Sequence, residues 1–245
     1  MNYSKILITG ATGKLGKALL ASDLQKRVCL APTRLEMDIT KKEQVEAYCA
    51  RHDFDAVIHC AAIASVAVCE KDPVSALQVN LIGTTNLIQA ALKRGVRLVY
   101  ISTDYVYPGV KGPYSEKDLT IPFTHYGWTK LGGECAVNVI SNHCIVRTSF
   151  FDPDNIPFDT APSDAFCSKI PLPELAGIII KLLDSEFTGV INVGQERESL
   201  YAILKKYRPD IRPLTLDELS KGLPVKRAVD SSLDITRLKI FLEQH

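Results

Sequence analysis

The opening of the chain constrains its fold more than any other stretch. Lys5-Ile6-Leu7-Ile8-Thr9 is a short apolar run, Gly10-Ala11-Thr12-Gly13-Lys14-Leu15-Gly16 follows, and helix-forming residues come next. Strand, glycine turn, helix is the order that a dinucleotide fingerprint requires. Glycines let the backbone approach a pyrophosphate, and the helix N-terminus offers unpaired N–H groups and the positive end of its dipole. Gly10, Thr12, Gly13, Lys14 and Leu15 are therefore candidate cofactor residues. The spacing is G-x-x-G-x-x-G, not G-x-G-x-x-G, and a plain tight turn would also use glycine. Leu15 follows Gly13-Lys14, so no hydroxyl stands where a P-loop holds magnesium.

Beyond this loop, apolar runs alternate with helical stretches. The pattern predicts strands near 4–9, 27–31, 55–60, 96–102 and 143–148, and helices near 14–23, 41–52, 73–94 and 125–140. Such alternation implies βαβ units, hence a doubly wound, Rossmann-type α/β fold with a parallel sheet covered on both faces. Ligands on such sheets bind outside the carboxyl ends of the strands. Gly13, Thr33-Arg34, Ala61-Ala62 and Thr103 all fall at those ends. After Phe150 a segment rich in Pro and Asp gives way to a helix near 173–185, a strand in GVINVG and a helix near 198–207. We expect residues 1–150 to form the nucleotide-binding domain and residues 151–245 a small substrate lobe that does not fold alone.

Charge and cysteine usage narrow the classes. The net charge of +1 gives no electrostatic case for nucleic acid or an anionic membrane. No apolar run approaches the ~20 residues of a membrane span. The N-terminus runs straight into the first strand, without a signal peptide pattern. Seven cysteines, with no C-x-x-C pair, argue for reduced thiols and a cytoplasmic protein. Neither they nor the five histidines show metal-ligand spacing.

A second constellation lies downstream. Tyr126 and Lys130 are four residues apart in HYGWTK, and Ser102-Thr103-Asp104 follows the apolar run VRLVYI. On a helix, i and i+4 share a face. A phenol has a pKa of about 10, and a neighbouring ammonium lowers it. Thr103 at a strand end could orient the group that receives the proton. Thr103, Tyr126 and Lys130 are the candidate catalytic set, although Y-x-x-x-K alone also describes a surface tyrosine and a solvated lysine.

The second strand ends in Thr33-Arg34-Leu35-Glu36. A carboxylate there would take a ribose 2′-hydroxyl and select NAD; an arginine would take a 2′-phosphate and select NADP. Arg34 favours NADP(H) over NAD(H), while Glu36 keeps NAD open. Asp38 and Ile39 could hold the adenine edge and face; Asp38 could equally cap the next helix.

Together these residues carry a resemblance. ILITGATGKLG, MDIT, DAVIHCAA, CEKDPVSALQVNLIGTTNLIQAA, LVYISTDYVY, YGWTKLGGE and IVRTSF resemble the extended short-chain dehydrogenase/reductases, and within them the RmlD-like branch of dTDP-4-dehydrorhamnose reductase. The resemblance implies a reductase of a nucleotide-linked keto-deoxysugar. In it Tyr126 would be the acid, and Lys130 would hold the nicotinamide ribose and lower the Tyr126 pKa. Thr103 would hydrogen-bond the substrate carbonyl. Gly13, Lys14 and Leu15 would touch the pyrophosphate, Asp38 and Ile39 the adenine, and Ala61, Ala62 and Ile63 the ribose and nicotinamide side. Asn80 would brace the active-site backbone. Thr103, Asp104 and Phe150 would meet the sugar. It also implies a homodimer through the helices near 73–94 and 125–140. Phe150 stands where the family often has Trp, IASVAVCE is mostly apolar, and the segment after Phe150 is shorter than usual. The shortened segment keeps open a non-catalytic, NADP-binding regulatory subunit like the β subunit of methionine adenosyltransferase. An epimerase or dehydratase is a further alternative.

Overall fold

A computed structural model of the chain describes residues 3–221 and 227–245; residues 222–226 of the expected second lobe lie outside the described residues. Strand β1 (Lys5–Thr9) leads through the glycine turn into helix α1 (Lys14–Leu20), and β2 (Val28–Leu30) follows. Helix α2 (Lys42–Arg51), β3 (Ala56–His59) and the short helices α3 (Val66–Lys71) and α4 (Pro73–Leu77) come next. A π-helical turn, Gln78–Gly83, joins α4 to α5 (Thr84–Arg94), with helical backbone angles at both of its ends. Then come β4 (Arg97–Ile101), α6 (His125–Val137), β5 (His143–Thr148), α7 (Leu172–Asp184) and β6 (Gly189–Val193).

The six strands form one sheet in the order β6-β5-β4-β3-β1-β2, with every pairing parallel. Chain order reverses between β1 and β3, which is the topological switch point where such sheets open a ligand crevice. Alternation along each strand builds two cores. Ile6, Ile8, Ile58, Val99 and Val146 pack with α1 and α7; Leu7, Val57, Leu98 and Ile145 pack with α2 and α5. Both faces of the sheet are therefore covered, and its carboxyl edge is left for chemistry.

The expected boundary at residue 150 does not divide the sheet. Residues beyond it supply the sixth strand, β6, and the core helix α7, because GVINVG is a continuous apolar run with the register to extend a parallel sheet beside β5. The other parts form small pairs, such as Phe150–Phe151 with Ile170–Pro171 and Glu198–Ser199 with Phe166–Cys167. A satellite core of Ala161, Leu204 and Ile211 sits among them.

Candidate active site

The rim begins where β1 turns. Gly10 adopts a left-handed backbone with φ 69°, and a Cβ there would come within 2.6 Å of the Ala61 amide nitrogen. No other residue type fits between the first loop and the end of β3. Gly13 caps α1 without a side-chain cap, its own N–H donating to the Gly10 carbonyl at 3.0 Å, so no side chain covers the first-turn amides, and Thr12, Gly13 and Lys14 are exposed. Leu15 is buried in the core under the loop.

Behind this loop runs a buried polar strut that the sequence reading did not assign. Thr9 Oγ1 lies 2.6 Å from His59 Nδ1, His59 Nε2 lies 2.9 Å from Thr84 Oγ1, and Thr84 donates to the Asn80 carbonyl at 2.7 Å. Burial, reinforced by the charge of Lys130, pulls His59 down to about 3. The imidazole is thus a neutral two-ended connector of β1, β3 and α5. Asn80, inside the π turn, accepts from Ile63 N (2.8 Å) and donates to Ile63 O (3.1 Å) and Thr129 Oγ1 (3.0 Å). It ties the Ala61-Ala62-Ile63 segment to α6. The irregular turn re-aims one side chain within an otherwise regular rod.

Beyond β2, Arg34 is largely exposed and its Nε reaches Asp38 Oδ2 at 3.0 Å. Asp38 also accepts from the Thr40 backbone and hydroxyl. Glu36 is committed to its own turn, accepting from Thr33 N and Thr33 Oγ1, both at 2.8 Å. Ile39 turns inward, packs toward Gly83, and gives its carbonyl to Asn86.

Helix α6 carries Tyr126 and Lys130. Thr124 caps it by accepting from Gly127 N at 3.0 Å, and Glu70 of α3 accepts from His125 N at 2.7 Å. The absence of a side chain at Gly133 lets α6 lie against Tyr100 of β4, whose hydroxyl donates to the Lys130 carbonyl. Lys130 is buried, with Nζ 4.0 Å from the centre of the Tyr100 ring. Burial pulls its ammonium down to about 7, while Glu134 and Cys60 act in the opposite direction. Burial pushes the Tyr126 phenol well above its ordinary value, and a hydrogen bond with Thr103 works against that rise.

Thr103 is buried at the end of β4. Its hydroxyl donates to Asp104 Oδ1 at 3.0 Å and accepts from Tyr105 N at 3.2 Å. Asp104 is also buried, and its second oxygen accepts from Ser231 at 2.7 Å. Burial raises Asp104 above the usual carboxylate range, against the influence of Lys169, Ser231 and Thr103. Phe150 is half-buried at the edge of the core, close to Lys169, whose ammonium donates to Ser149 Oγ at 2.9 Å.

One turn after Lys130, Glu134 meets Arg147 of β5 in a buried ion pair, with Nη2 to Oε2 at 2.7 Å. Ser102 also donates to Glu134. Arg147 reaches Tyr107 Oη at 2.8 Å, and Tyr107 donates to Asn192 of β6 at 3.1 Å. Glu134 and Arg147 stood inside YGWTKLGGE and IVRTSF without an assigned role. An arginine within an apolar strand and a glutamate on the Lys130 face of α6 were signals that each needed a buried partner.

A model of the RmlD substrate binding domain matches residues 4–152, more than half of the chain. The chain belongs to this family. It is 39% identical over 149 residues to the dTDP-4-keto-6-deoxy-D-glucose reductase of Streptomyces niveus, covering 59% of this chain and 51% of that protein. It is 38% identical over 141 residues to the methionine adenosyltransferase 2 subunit beta of Rattus norvegicus, covering 54% of this chain and 42% of that protein. The matched stretch spans about half the length of these curated relatives. Among solved structures, a dTDP-4-dehydrorhamnose reductase from Clostridium acetobutylicum superposes with a TM-score of 0.88 at 30% identity, over 96% of this chain and 92% of that one. The dTDP-4-dehydrorhamnose reductase of Bacillus anthracis in complex with NADP also gives 0.88, at 27% identity, over 98% and 93%. Against these two structures the expected shortfall after Phe150 is small: most of that segment has a counterpart.

Proposed function

We propose that this RmlD-family chain is an NADP(H)-dependent reductase of a nucleotide-linked 4-keto-6-deoxysugar, with Tyr126 as the proton donor. The observation that carries the reading is the placement of Tyr126 and the buried Lys130 one helical turn apart on α6, beside Thr103 buried at the end of β4 on the same rim as the glycine loop. The cofactor, when bound, supplies the hydride. The cradle around Gly10 and the uncapped N-terminus of α1 suit its pyrophosphate. Arg34 suits a 2′-phosphate, and because Glu36 is occupied by Thr33, NADP is favoured over NAD. Ala61, Ala62, Ile63 and Asn80 would line the ribose and nicotinamide side, and Asp38 with the backbone of Ile39 the adenine side.

The remaining chemistry belongs to the side chains. Tyr126 stays protonated at neutral pH, as a donor to a developing alkoxide must. Lys130, which titrates near 7, gains charge when an oxygen-rich partner replaces the π face of Tyr100. The segment from 151 onward closes the carbonyl side through Lys169 and Ser231. Exposed Val74, Leu77 and Ile82 along the α4–α5 rod and Trp128 on α6 support a homodimer through these helices. A solution mass of one chain would refute that dimer.

The test is oxidation of NADPH and NADH with a panel of nucleotide-linked keto-sugars. Turnover with a 4-keto-6-deoxysugar, faster with NADPH, is expected. The likeness to methionine adenosyltransferase 2 subunit beta favours a second reading, a cofactor-binding regulatory subunit. Tight NADP(H) binding, silence on every sugar and co-purification with another enzyme would favour it.

A further inference from the structure

His125 stands directly before Tyr126 and takes no part in the chemistry above. Glu70 of α3 grips it with both carboxylate oxygens. Oε1 accepts from the His125 backbone N–H at 2.7 Å, and Oε2 lies 2.9 Å from the ring Nδ1. That N–H belongs to the first turn of α6, where the helix itself offers no acceptor, and a carboxylate there also meets the positive end of the helix dipole. On the other side of Tyr126, Gly127 donates to Thr124 Oγ1 at 3.0 Å, and a Cβ on Gly127 would strike the Tyr105 carbonyl. The residue before the phenol and the residue after it are therefore both held.

Glu70 is itself anchored to the far side of the crevice. Its neighbour Cys69 is buried and donates through Sγ to the Ile63 carbonyl at 3.4 Å. The same carbonyl accepts from Asn80 Nδ2, whose amide also reaches Thr129, a turn further along α6. Contacts thus run from Ile63 through α3 to the start of α6, and Glu70 is the side chain that crosses between the two helices. The pair lies at the surface, with side chains 53% (His125) and 26% (Glu70) exposed, so its loss leaves no buried charge and variants here should fold.

We propose that Glu70, with His125, is a positioning residue for Tyr126: it sets the first turn of α6 against the Ile63 segment, so that the proton donor keeps one spacing from the nicotinamide side of the crevice. This rests on the reductase reading above, in which Ala61, Ala62 and Ile63 line that side. The bond to the His125 backbone does the positioning. The ring holds the second oxygen, so the carboxylate keeps its aim. Glu70 exchanges no proton with the substrate, and no covalent bond to it changes.

The test uses the full chain with NADPH and the keto-sugar. Glu70→Ala should lower kcat roughly 10–100-fold with KM and NADPH affinity within about twofold, as misplacement of a reacting group does. Glu70→Gln keeps an oxygen for the His125 N–H and should bring kcat back to within about threefold of wild type. Added to Tyr126→Phe, Glu70→Ala should cost no more than about twofold, because the phenol it positions is gone. Additive losses in that double variant, or a Glu70→Ala loss carried by KM, would overturn the proposal. Placement is also read without any sugar, from the Tyr126 ring signal in NMR, assigned by its loss in Tyr126→Phe. That signal should shift in Glu70→Ala and return in Glu70→Gln, while the signal of buried Tyr107 stays in place. If the wild-type chain turns over no sugar, the reductase reading fails, and a shift confined to Tyr126 still supports the clamp. An unmoved Tyr126 signal, or equal shifts of both tyrosines, would overturn it.

Discussion

On the β1–α1 side of the rim, close fit is made by backbone. Gly10 seats the first loop against Ala61, Gly13 opens α1, and Thr12 and Lys14 face outward. On the β4–β5–α6 side it is made by buried side chains: Thr103 with Asp104 and Ser231, Glu134 with Arg147, and Tyr107 with Asn192. In the proposed reading the first region would hold the cofactor's pyrophosphate with groups that cannot titrate. The second, which in the same reading would move a proton, has groups that are titratable, desolvated and tied to one another. A backbone site fails by steric clash, whereas a side-chain site fails when one partner is left alone.

The largest effect on stability is expected at Arg147. Arg147→Met leaves Glu134 buried without its partner, and we expect a loss of roughly 3–5 kcal/mol in urea unfolding. A loss below ~1 kcal/mol would mean that the pair does not hold the carbonyl side together. On the other side, Gly10→Ala should cost about 3 kcal/mol through its left-handed backbone and the contact with Ala61. It should also abolish NADP(H) binding, measured by titration calorimetry; binding at wild-type affinity would remove the cradle from the account.

Lys130 sharpens the contrast through pH. Its folded value near 7 lies below that of the unfolded chain, so the unfolded state holds more protons between pH 7 and 10. The destabilisation from burying this lysine is full below pH 7 and is relieved as pH rises. Lys130→Met should therefore be more stable than wild type at pH 6, with the gap closing toward pH 10 in thermal melts. A gap that stays constant would place the lysine in solvent. The smallest effect is expected at Arg34: Arg34→Ala should weaken NADPH binding about tenfold, equivalent to ~1.4 kcal/mol, and leave NADH unchanged. Equal loss for both nucleotides would contradict the 2′-phosphate assignment.

The two regions also differ in how legible they were. The glycine loop, the buried strands and the helix carrying Tyr126 and Lys130 follow from local patterns, since apolar runs, turn glycines and i,i+4 spacing act over a few residues. The polar ties do not. Asp104 and Ser231 are joined only by the fold, and a serine in a charged tail gives no hint of its partner. His59 had no assigned role in the sequence because its two threonine partners come from β1 and α5. Ile39 read as an adenine contact from its place after Asp38, yet packing against Gly83 claims its side chain. Residue 150 looked like a boundary because texture changes there, while the sheet closes later at β6.

In the proposed reaction Tyr126 donates the proton at this rim. Its most direct test compares wild type with Tyr126→Phe, measuring NADP(H) affinity and NADPH oxidation with a nucleotide-linked 4-keto-6-deoxysugar. Nucleotide affinity within about twofold of wild type and turnover lower by roughly 10²–10⁴-fold are expected in Tyr126→Phe. Turnover near the wild-type rate in Tyr126→Phe would contradict this role for Tyr126.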